Sequence, residues 1–423
     1  MAKLKLENGI IVEPLSGRIE KRDLYIDGDR IVEKPDFDIG FESLDMTGKT
    51  IMPGFLDMHV HFREPGREEA ETIESGTAAA LAGGFTSVLL MGNTTPAMDS
   101  PEQIEFVKEK SKNMPLDIMT VGCLTINRAG KEIAPLKKLA DAGVPAFSDD
   151  GSTTVDIGLM TEAAYIAAEL GKPIVEHALH PELAGNGVIH DGVMARKLGV
   201  PGISSEAEAV IIERDIIIAE KTGVHIHIQH ISTSEGASLI RDAKKSGISV
   251  SAELTPHHLA LCDEDIPGND ANYKMNPPIR SAKDKDDLLQ AILDGTIETM
   301  ATDHAPHTAL ESSKGLVKGP FGITGLETAI GITYKILVES KLLSVSEWAK
   351  LWTSNPASIL NLSYSKNVNS GSLANLTIVD EAINWKISNV SEFKSKSKNS
   401  PFVNFPMTCK PYATIYNGIL TKC

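Results

Sequence analysis

Residues 51–66 read IMPGFLDMHVHFREPG, a short apolar run that ends in two histidines one residue apart, His59 and His61, before breaking at Arg63, Glu64 and a Pro-Gly turn. Alternate residues of a strand face the same side, so on a strand both imidazoles can point at one ion. The spacing alone decides little. With 12 histidines in 423 residues, chance supplies roughly a third of such a pair per chain. The sequence also holds a second pair, His225 and His227. What separates the two pairs is their place in the fold that the rest of the chain implies.

Outward from this stretch, short β-like runs alternate with helical segments such as EFVKEKSKN (105–113) and EAEAVIIERDIIIAEKTG (206–223). After 51–61 the runs are FTSVLLMGN (85–93), LDIMTVGCLT (116–125), VPAFSDD (144–150), KPIVEH (172–177), VHIHIQH (224–230), ISVSAELTPHH (248–258) and ETMATDH (298–304). Eight strands alternating with helices predict an α/β fold, a closed (β/α)8 TIM-like barrel in preference to an open doubly wound sheet. The flanks are different. LKLENGIIVEP (4–14), DLYIDGDRIVE (23–33) and GKTIMPG (48–54) at one end, and SGSLANLTIVD (370–380) and PYATIYNGIL (411–420) at the other, are turn-rich β segments. They predict one small β-sandwich domain, with 1–50 as its N-terminal part, 51–355 as the barrel and 356–423 as its C-terminal part. Within the last segment, FKSKSKNSPF (393–402) reads as a surface loop.

Composition narrows the function. An apolar fraction of 42% is ordinary for a globular chain with a sizeable core. A net charge of −16 without a basic run argues against nucleic acid and anionic membranes as partners, and an anionic substrate would need local positive charge. MAKLKLENGI has no apolar signal region and no run reaches the length of a membrane span, so a cytoplasmic chain is expected. Cys123, Cys262, Cys409 and Cys423 lie far apart with no CxxC pair, which fits reduced thiols. Histidines and carboxylates must carry any metal.

Barrels of this kind place their active sites at the C-terminal strand ends. Those ends carry His59, His61, Asn93, Asp150, His177, His230, His257 with His258, and Asp303. His225 and His227 begin the sixth strand, which puts them on the opposite rim as structural residues, and His230 closes it as the ligand candidate. His177 is preferred to the loop residue His180. Asp149 and Asp150 both end the fourth strand, and periodicity does not choose between them. Asp303 reads either as the cap of the next helix or as a metal-bound carboxylate that moves protons. Four histidines and two aspartates suit a pair of divalent cations, zinc first, sharing one carboxylate and acidifying a water for hydrolysis.

These stretches resemble the amidohydrolase superfamily and, within it, dihydroorotases of the class I type. The matching motifs are DMHVHFREPG (57–66), GGFTSVLLMGNTTP (83–96), FSDDG (147–151), TPHHL (255–259), KMNPPIR (274–280), ATDHAPH (301–307) and PFGITGLETA (320–329), in family order. The resemblance implies reversible hydrolysis of dihydroorotate to N-carbamoyl-L-aspartate, a step of pyrimidine synthesis, with one or two Zn2+ ions. It implies that His59, His61 and Asp303 hold one metal, that His177 and His230 hold the other, and that Asp150 bridges them. Many relatives bridge with a carboxylated lysine, and no lysine occupies a matching strand end here. Arg63, Asn93 and Asn276 would bind polar groups of the substrate, His307 and the backbone around Phe321 and Gly322 would complete the pocket, and Asp303 would be the catalytic proton carrier.

A homodimer and an aspartate transcarbamoylase partner are also implied. The relatives follow the fifth-strand histidine with Cys-Glu-Asp, whereas this chain reads EHALHPEL (176–183). The stretch from His304 to Gly325 is glycine-rich enough for a mobile cover and equally for a long surface loop. Two other functions compete: an allantoinase or hydantoinase, whose substrates lack the carboxylate that Arg63 would hold, and an inactive scaffold for aspartate transcarbamoylase. Such scaffolds tend to lose metal ligands, and this chain retains every position.

Overall fold

The computed structural model describes residues 3–362 and 367–423. The N-terminal strands are β1 (Lys3–Glu13), β2 (Arg18–Asp27), β3 (Arg30–Val32), β4 (Glu42–Asp45) and β5 (Thr50–Pro53). The central part carries β6 (Phe55–Val60), β7 (Phe85–Leu90), β8 (Asp117–Thr120), β9 (Ile174–Glu176), a small pair β10 (Ile189–His190) and β11 (Gly202–Ile203), then β12 (Ile226–Ile228), β13 (Val250–Leu254) and β14 (Thr299–Met300). The chain ends in β15 (Leu376–Trp385), β16 (Met407–Tyr416) and β17 (Ile419–Lys422).

Both ends of the chain share one sheet in the order β17-β16-β15-β5-β1-β2-β3, with β4 beside β1. The seam is the antiparallel pairing of β5 with β15, from Thr50 opposite Val379 to Pro53 opposite Leu376. Leu6, Ile11, Leu24, Ile26, Ile51, Ile378 and Ile415 are buried together beneath this sheet. Each such side chain contributes roughly 1.5–3 kcal/mol over an exposed one, so the two chain ends are held together mainly by apolar burial.

The first run, 51–61, is not one strand as the apolar pattern suggests. It divides at Gly54: β5 belongs to the shared sheet and β6 opens the barrel. A Cβ at Gly54 would stand 2.0 Å from Thr86 Oγ1, so only glycine lets the chain pass β7 at the crossing. The expected boundary after residue 50 therefore falls inside β5. The boundary expected at 355 likewise falls inside a helix, Ser354–Ile359, which packs on β6 and β14. Ala357, Ile359 and Leu360 join Leu56, Met58, Val175 and Ala301 in one buried cluster.

The barrel is parallel throughout and closed. β6, β7 and β8 pair in sequence, as do β9, β12, β13 and β14. The expected fourth strand over 144–150 shrinks to bridges of Phe147 with Gly122 and Ile174. Pro145 lacks the N–H that a longer ladder would need. Closure comes at the histidine pair, where Val60 bridges His304 and His61 N–H donates to His304 O at 2.8 Å. Asp57 reinforces this seam, accepting from Thr302 N–H (3.1 Å), the Thr302 hydroxyl and His59 N–H (3.2 Å). Burial pushes its carboxyl up to about 7.

FKSKSKNSPF is not a surface loop. Phe393, Ser395, Ser397, Asn399, Ser400 and Phe402 are buried, while Lys394 and Lys396 are exposed. The segment lies across the barrel, donating from Lys394 N–H and Ser395 N–H to Glu327, from Lys396 N–H and the Ser395 hydroxyl to Glu71, and from the Ser397 hydroxyl to Ala70 O. Buried carboxylates on the barrel need donors, and this strap supplies them. Among the described residues, no helix is long and apolar enough to cross a membrane.

Candidate active site

The strand ends converge on a cavity of about 230 Å3 lined by His61, Arg63, Asn93, Asp150, His177, His230, Asn276, Asp303, His307, Phe321 and Gly322, among others. This is small beside the ~300–1,000 Å3 pockets of drug-sized ligands, and it suits a single small ring. His59 lies behind the wall, with 0% exposure.

Asp150 is the hub. Its carboxylate stands 3.4 Å from His59 Nε2, 3.5 Å from His61 Nε2, 3.5 Å from His177 Nδ1 and 3.7 Å from His230 Nε2. Two buried triads that could each hold a metal ion share it: His59, His61 and Asp150, and Asp150, His177 and His230. Asp303 Oδ1 completes the first side at 2.9 Å from His61 Nε2 and 3.5 Å from His59 Nε2. Imidazole Nε2 of His59 is buried without a hydrogen-bond partner among the described residues, as a ligand atom facing an ion would be. Burial alone would raise both aspartates, but the surrounding imidazoles outweigh it and hold Asp150 and Asp303 well below the usual carboxylate range. Nitrogen and carboxylate donors around a shared carboxylate fit two divalent cations.

Backbone geometry agrees with a functional origin for this crowding. His230 and Asp303 take left-handed φ values of 32° and 48°, conformations that non-glycine residues adopt at a cost and that cluster at functional sites. A register irregularity between Asp57 and Val60 re-aims the end of β6 at the histidine pair.

Ligand orientation is set by neighbours. Asn93 Oδ1 lies 2.9 Å from His61 Nδ1 and Glu253 Oε1 lies 2.6 Å from His59 Nδ1, so both rings turn Nε2 toward the aspartates. Burial pushes Glu253 up, yet His59 and His227 outweigh it and hold it at about 2. The Asn276 amide stands 3.4 Å from His177 Nε2. Asp149 faces away, taken by Thr125 N–H, the Thr125 hydroxyl and the Thr154 hydroxyl.

The remaining candidates separate cleanly. His180 caps the turn Pro181–Ala184. His258 is fixed by the Thr255 hydroxyl at 2.8 Å and Pro277 O at 3.1 Å, and neither His257 nor His258 lines the cavity. His304 Nδ1 accepts from Gly325 N–H, and its Nε2 lies 3.3 Å from Glu71.

Arg63 also lines the cavity. Burial and the neighbouring Arg67 lower its guanidinium to about 10. It donates to Pro306 O at 3.2 Å and lies 3.5 Å from His307 Nε2. Among the described residues, no carboxylate lies within ion-pair distance of it. Burial also lowers His307, helped by Arg63, to about 3, so this ring is neutral. It donates from Nε2 to Phe321 O at 2.7 Å.

The backbone at Phe321 and Gly322 forms the wall: Gly322 N–H donates to Lys274 O at 2.8 Å and Gly322 O accepts from Asn399 Nδ2 at 3.0 Å. Gly322 has φ +112°, and a Cβ there would meet Ala305 Cβ at 2.5 Å. The stretch 304–325 contains two helical turns, Ala309–Ser312 and Gly315–Lys318. It is pinned by Lys274 Nζ, which donates to Val317 O (3.1 Å) and Gly319 O (2.8 Å).

Asn399, from the strap, is the residue that sequence reasoning missed most completely. Its side chain accepts from His307 N–H (3.0 Å) and donates to Ala305 O (3.1 Å) and Gly322 O (3.0 Å), tying two walls of the cavity together. The period-two alternation of lysine with serine and asparagine over 393–399 was the available signal.

Comparison with known proteins places this geometry. The L-hydantoinase (dihydropyrimidinase) of Arthrobacter aurescens superposes with a TM-score of 0.87 at 24% identity, over 100% of this chain and 96% of that one. The dihydropyrimidinase of Brevibacillus agri superposes with a TM-score of 0.86 at 21% identity, over 99% and 94%. The fold is thus that of the amidohydrolase barrels with a β-sandwich beside the barrel. Residues 48–236 match the family described as Dihydro-orotase-like. The chain is 44% identical to a dihydroorotase of Carboxydothermus hydrogenoformans over 98% of its own length and 97% of that protein, and 45% identical to one of Geobacillus sp. over 90% and 88%. It is an enzyme of the cyclic amide hydrolase class, and it belongs to the dihydroorotase family.

Proposed function

We propose that this site interconverts dihydroorotate and water with N-carbamoyl-L-aspartate, in pyrimidine synthesis. The observation that supports it above all is Arg63, a partly buried guanidinium at the cavity without an anionic partner among the described residues. A cyclic amide that carries a carboxylate supplies the missing charge; allantoin and simple hydantoins do not.

In this reading two zinc ions would be held here, one by His59, His61 and Asp303 and the other by His177 and His230, with Asp150, common to both groups of buried donors, as a ligand to each. When bound, such a pair supplies an acidified water and polarises the amide carbonyl. The protein's own residues do the rest. Arg63 grips the substrate carboxylate through its planar fork. Asn93, whose Oδ1 is engaged by His61, offers its amide N–H2 to the ring, and Asn276 offers Oδ1, which is buried and without a protein partner among the described residues. Phe321 and Gly322 shape the pocket wall, and His307 backs them. Asp303, ionised and at the first triad, takes the proton of the attacking water and passes it to the departing ring nitrogen.

The enzyme would work in the cytoplasm as a homodimer, with aspartate transcarbamoylase as a candidate partner. Its barrel would run from Phe55 to about Leu360, a span redrawn from 51–355 by the position of β5 and the helix Ser354–Ile359.

Metal dependence is the test. Protein stripped with a chelator is expected to lose cyclisation of carbamoyl-aspartate and to regain it with added Zn2+, activity rising to a plateau near two ions per chain by elemental analysis. Full activity in metal-free protein would overturn the reading. A metal-free, inactive protein that binds the transcarbamoylase would favour the scaffold instead.

A further inference from the structure

The second histidine pair has a place that the reaction leaves unexplained. β12 and β13 pair in parallel with His227 opposite Ser251. His227 is 0% exposed, with Nδ1 at 2.7 Å from Ser251 Oγ and Nε2 at 3.2 Å from Glu253 Oε2. Behind it, His225 Nε2 lies 2.7 Å from the same Ser251 Oγ, and His225 Nδ1 lies 2.9 Å from Ser249 Oγ. Ahead of it, Glu253 Oε1 contacts His59 Nδ1 at 2.6 Å and accepts from His230 N–H at 3.2 Å. The row runs unbroken from a partly exposed histidine at the start of β12 to a candidate metal ligand.

Donor and acceptor counting gives the row a single direction. A carboxylate only accepts, so His59 Nδ1 and His227 Nε2 must both carry protons. His227 Nδ1 is then an acceptor and takes the Ser251 hydroxyl proton. Ser251 Oγ in turn accepts from His225 Nε2–H, and His225 Nδ1 accepts from Ser249. From His225 to Glu253 each donor meets an acceptor; the Gln229 amide nitrogen, 3.1 Å from His59 Nδ1, has Met91 Sδ as its acceptor at 3.2 Å, and His59 presents the Nε2 lone pair toward Asp150 and Asp303.

We propose that His227 is a positioning residue for the metal centre: with Ser251 it fixes Glu253, which holds His59 by Nδ1 and the His230 backbone in register on the two sides of Asp150. The proposal rests on the reading of His59 and His230 as metal ligands. It assigns the second pair to orienting the first. Partners of this kind are typically worth 10–100-fold in metal affinity.

The experiment measures zinc affinity by chelator competition for wild type, His227→Leu, His227→Gln and Ser251→Ala, together with the nitrogen spectrum of 15N-histidine-labelled wild-type protein. His227→Leu leaves Glu253 Oε2 without a donor and should weaken retention of zinc roughly 10–100-fold, while His227→Gln, whose amide N–H2 can still donate, should restore most of the loss. Ser251→Ala should weaken retention less than His227→Leu. The wild-type spectrum should show His227 as the neutral Nε2–H form, its signal identified by its absence in His227→Gln.

Wild-type protein that binds no zinc would sink the metal reading itself. Zinc-binding wild type with His227→Leu equally tight, or with His227 as the Nδ1–H form or as imidazolium, would overturn the positioning role alone. Should His227→Leu not fold, the nitrogen spectrum and the other two variants decide the positioning role by the same outcomes.

Discussion

Asp303→Asn lowers kcat for dihydroorotate hydrolysis by roughly 10^2–10^4-fold, the usual contribution of a positioned acid–base group. Asparagine keeps an oxygen where Asp303 Oδ1 meets His61 Nε2 at 2.9 Å, so the shape around His59 and His61 survives while proton acceptance is lost. In the proposed reading the substrate carboxylate is held by Arg63, which also lines the cavity, so KM should change little. The check is steady-state kinetics beside elemental analysis on the same sample. A kcat within threefold of wild type, at unchanged metal content, would remove Asp303 from the chemistry. It would then be a ligand and nothing more.

The second large effect is at Arg63. Its guanidinium is partly desolvated, held down to about 10 by burial and by Arg67, and is not neutralised by any carboxylate among the described residues. Truncating one partner of a buried, hydrogen-bonded charge pair costs about 2–5 kcal/mol. At about 1.4 kcal/mol per decade, Arg63→Ala should therefore lower kcat/KM for dihydroorotate by roughly 30- to 4,000-fold. Arg63 is not among the metal-facing triads, so bound metal should be unchanged. Arg63→Lys should recover only part of the loss, because an ammonium cannot reproduce the two-pronged contact. An uncharged cyclic amide, turned over slowly by wild type, should be indifferent to the change. If dihydroorotate turnover were equally indifferent, the carboxylate would be bound elsewhere.

The barrel was legible because strand ends and polar residues coincide repeatedly along the chain, from His59 to Asp303. Single positions were less legible, each for a physical reason. The apolar pattern runs straight through Gly54, and only the three-dimensional approach of Thr86 reveals that two sheets are served by one run. The choice between Asp149 and Asp150 depends on the Thr125 and Thr154 hydroxyls, which claim the former and leave the latter facing the histidines.

FKSKSKNSPF misleads because its lysines suggest solvent, while its intervening serines and asparagine satisfy Glu71, Glu327 and the cavity wall. Glu253 is one carboxylate in an otherwise buried strand, and its contacts to His59 and His227 come from strands far apart in sequence. Spacing can nominate ligands. The groups that orient them come from distant parts of the chain.

Substrate choice is decided by turnover of dihydroorotate, allantoin and hydantoin, side by side, on one preparation of known zinc content. Dihydroorotate should exceed both others in kcat/KM by at least about 30-fold, the low end of what loss of a buried charge partner costs. Zinc-loaded protein that turns over allantoin or hydantoin as well as dihydroorotate, or that leaves dihydroorotate untouched, would contradict the proposed function.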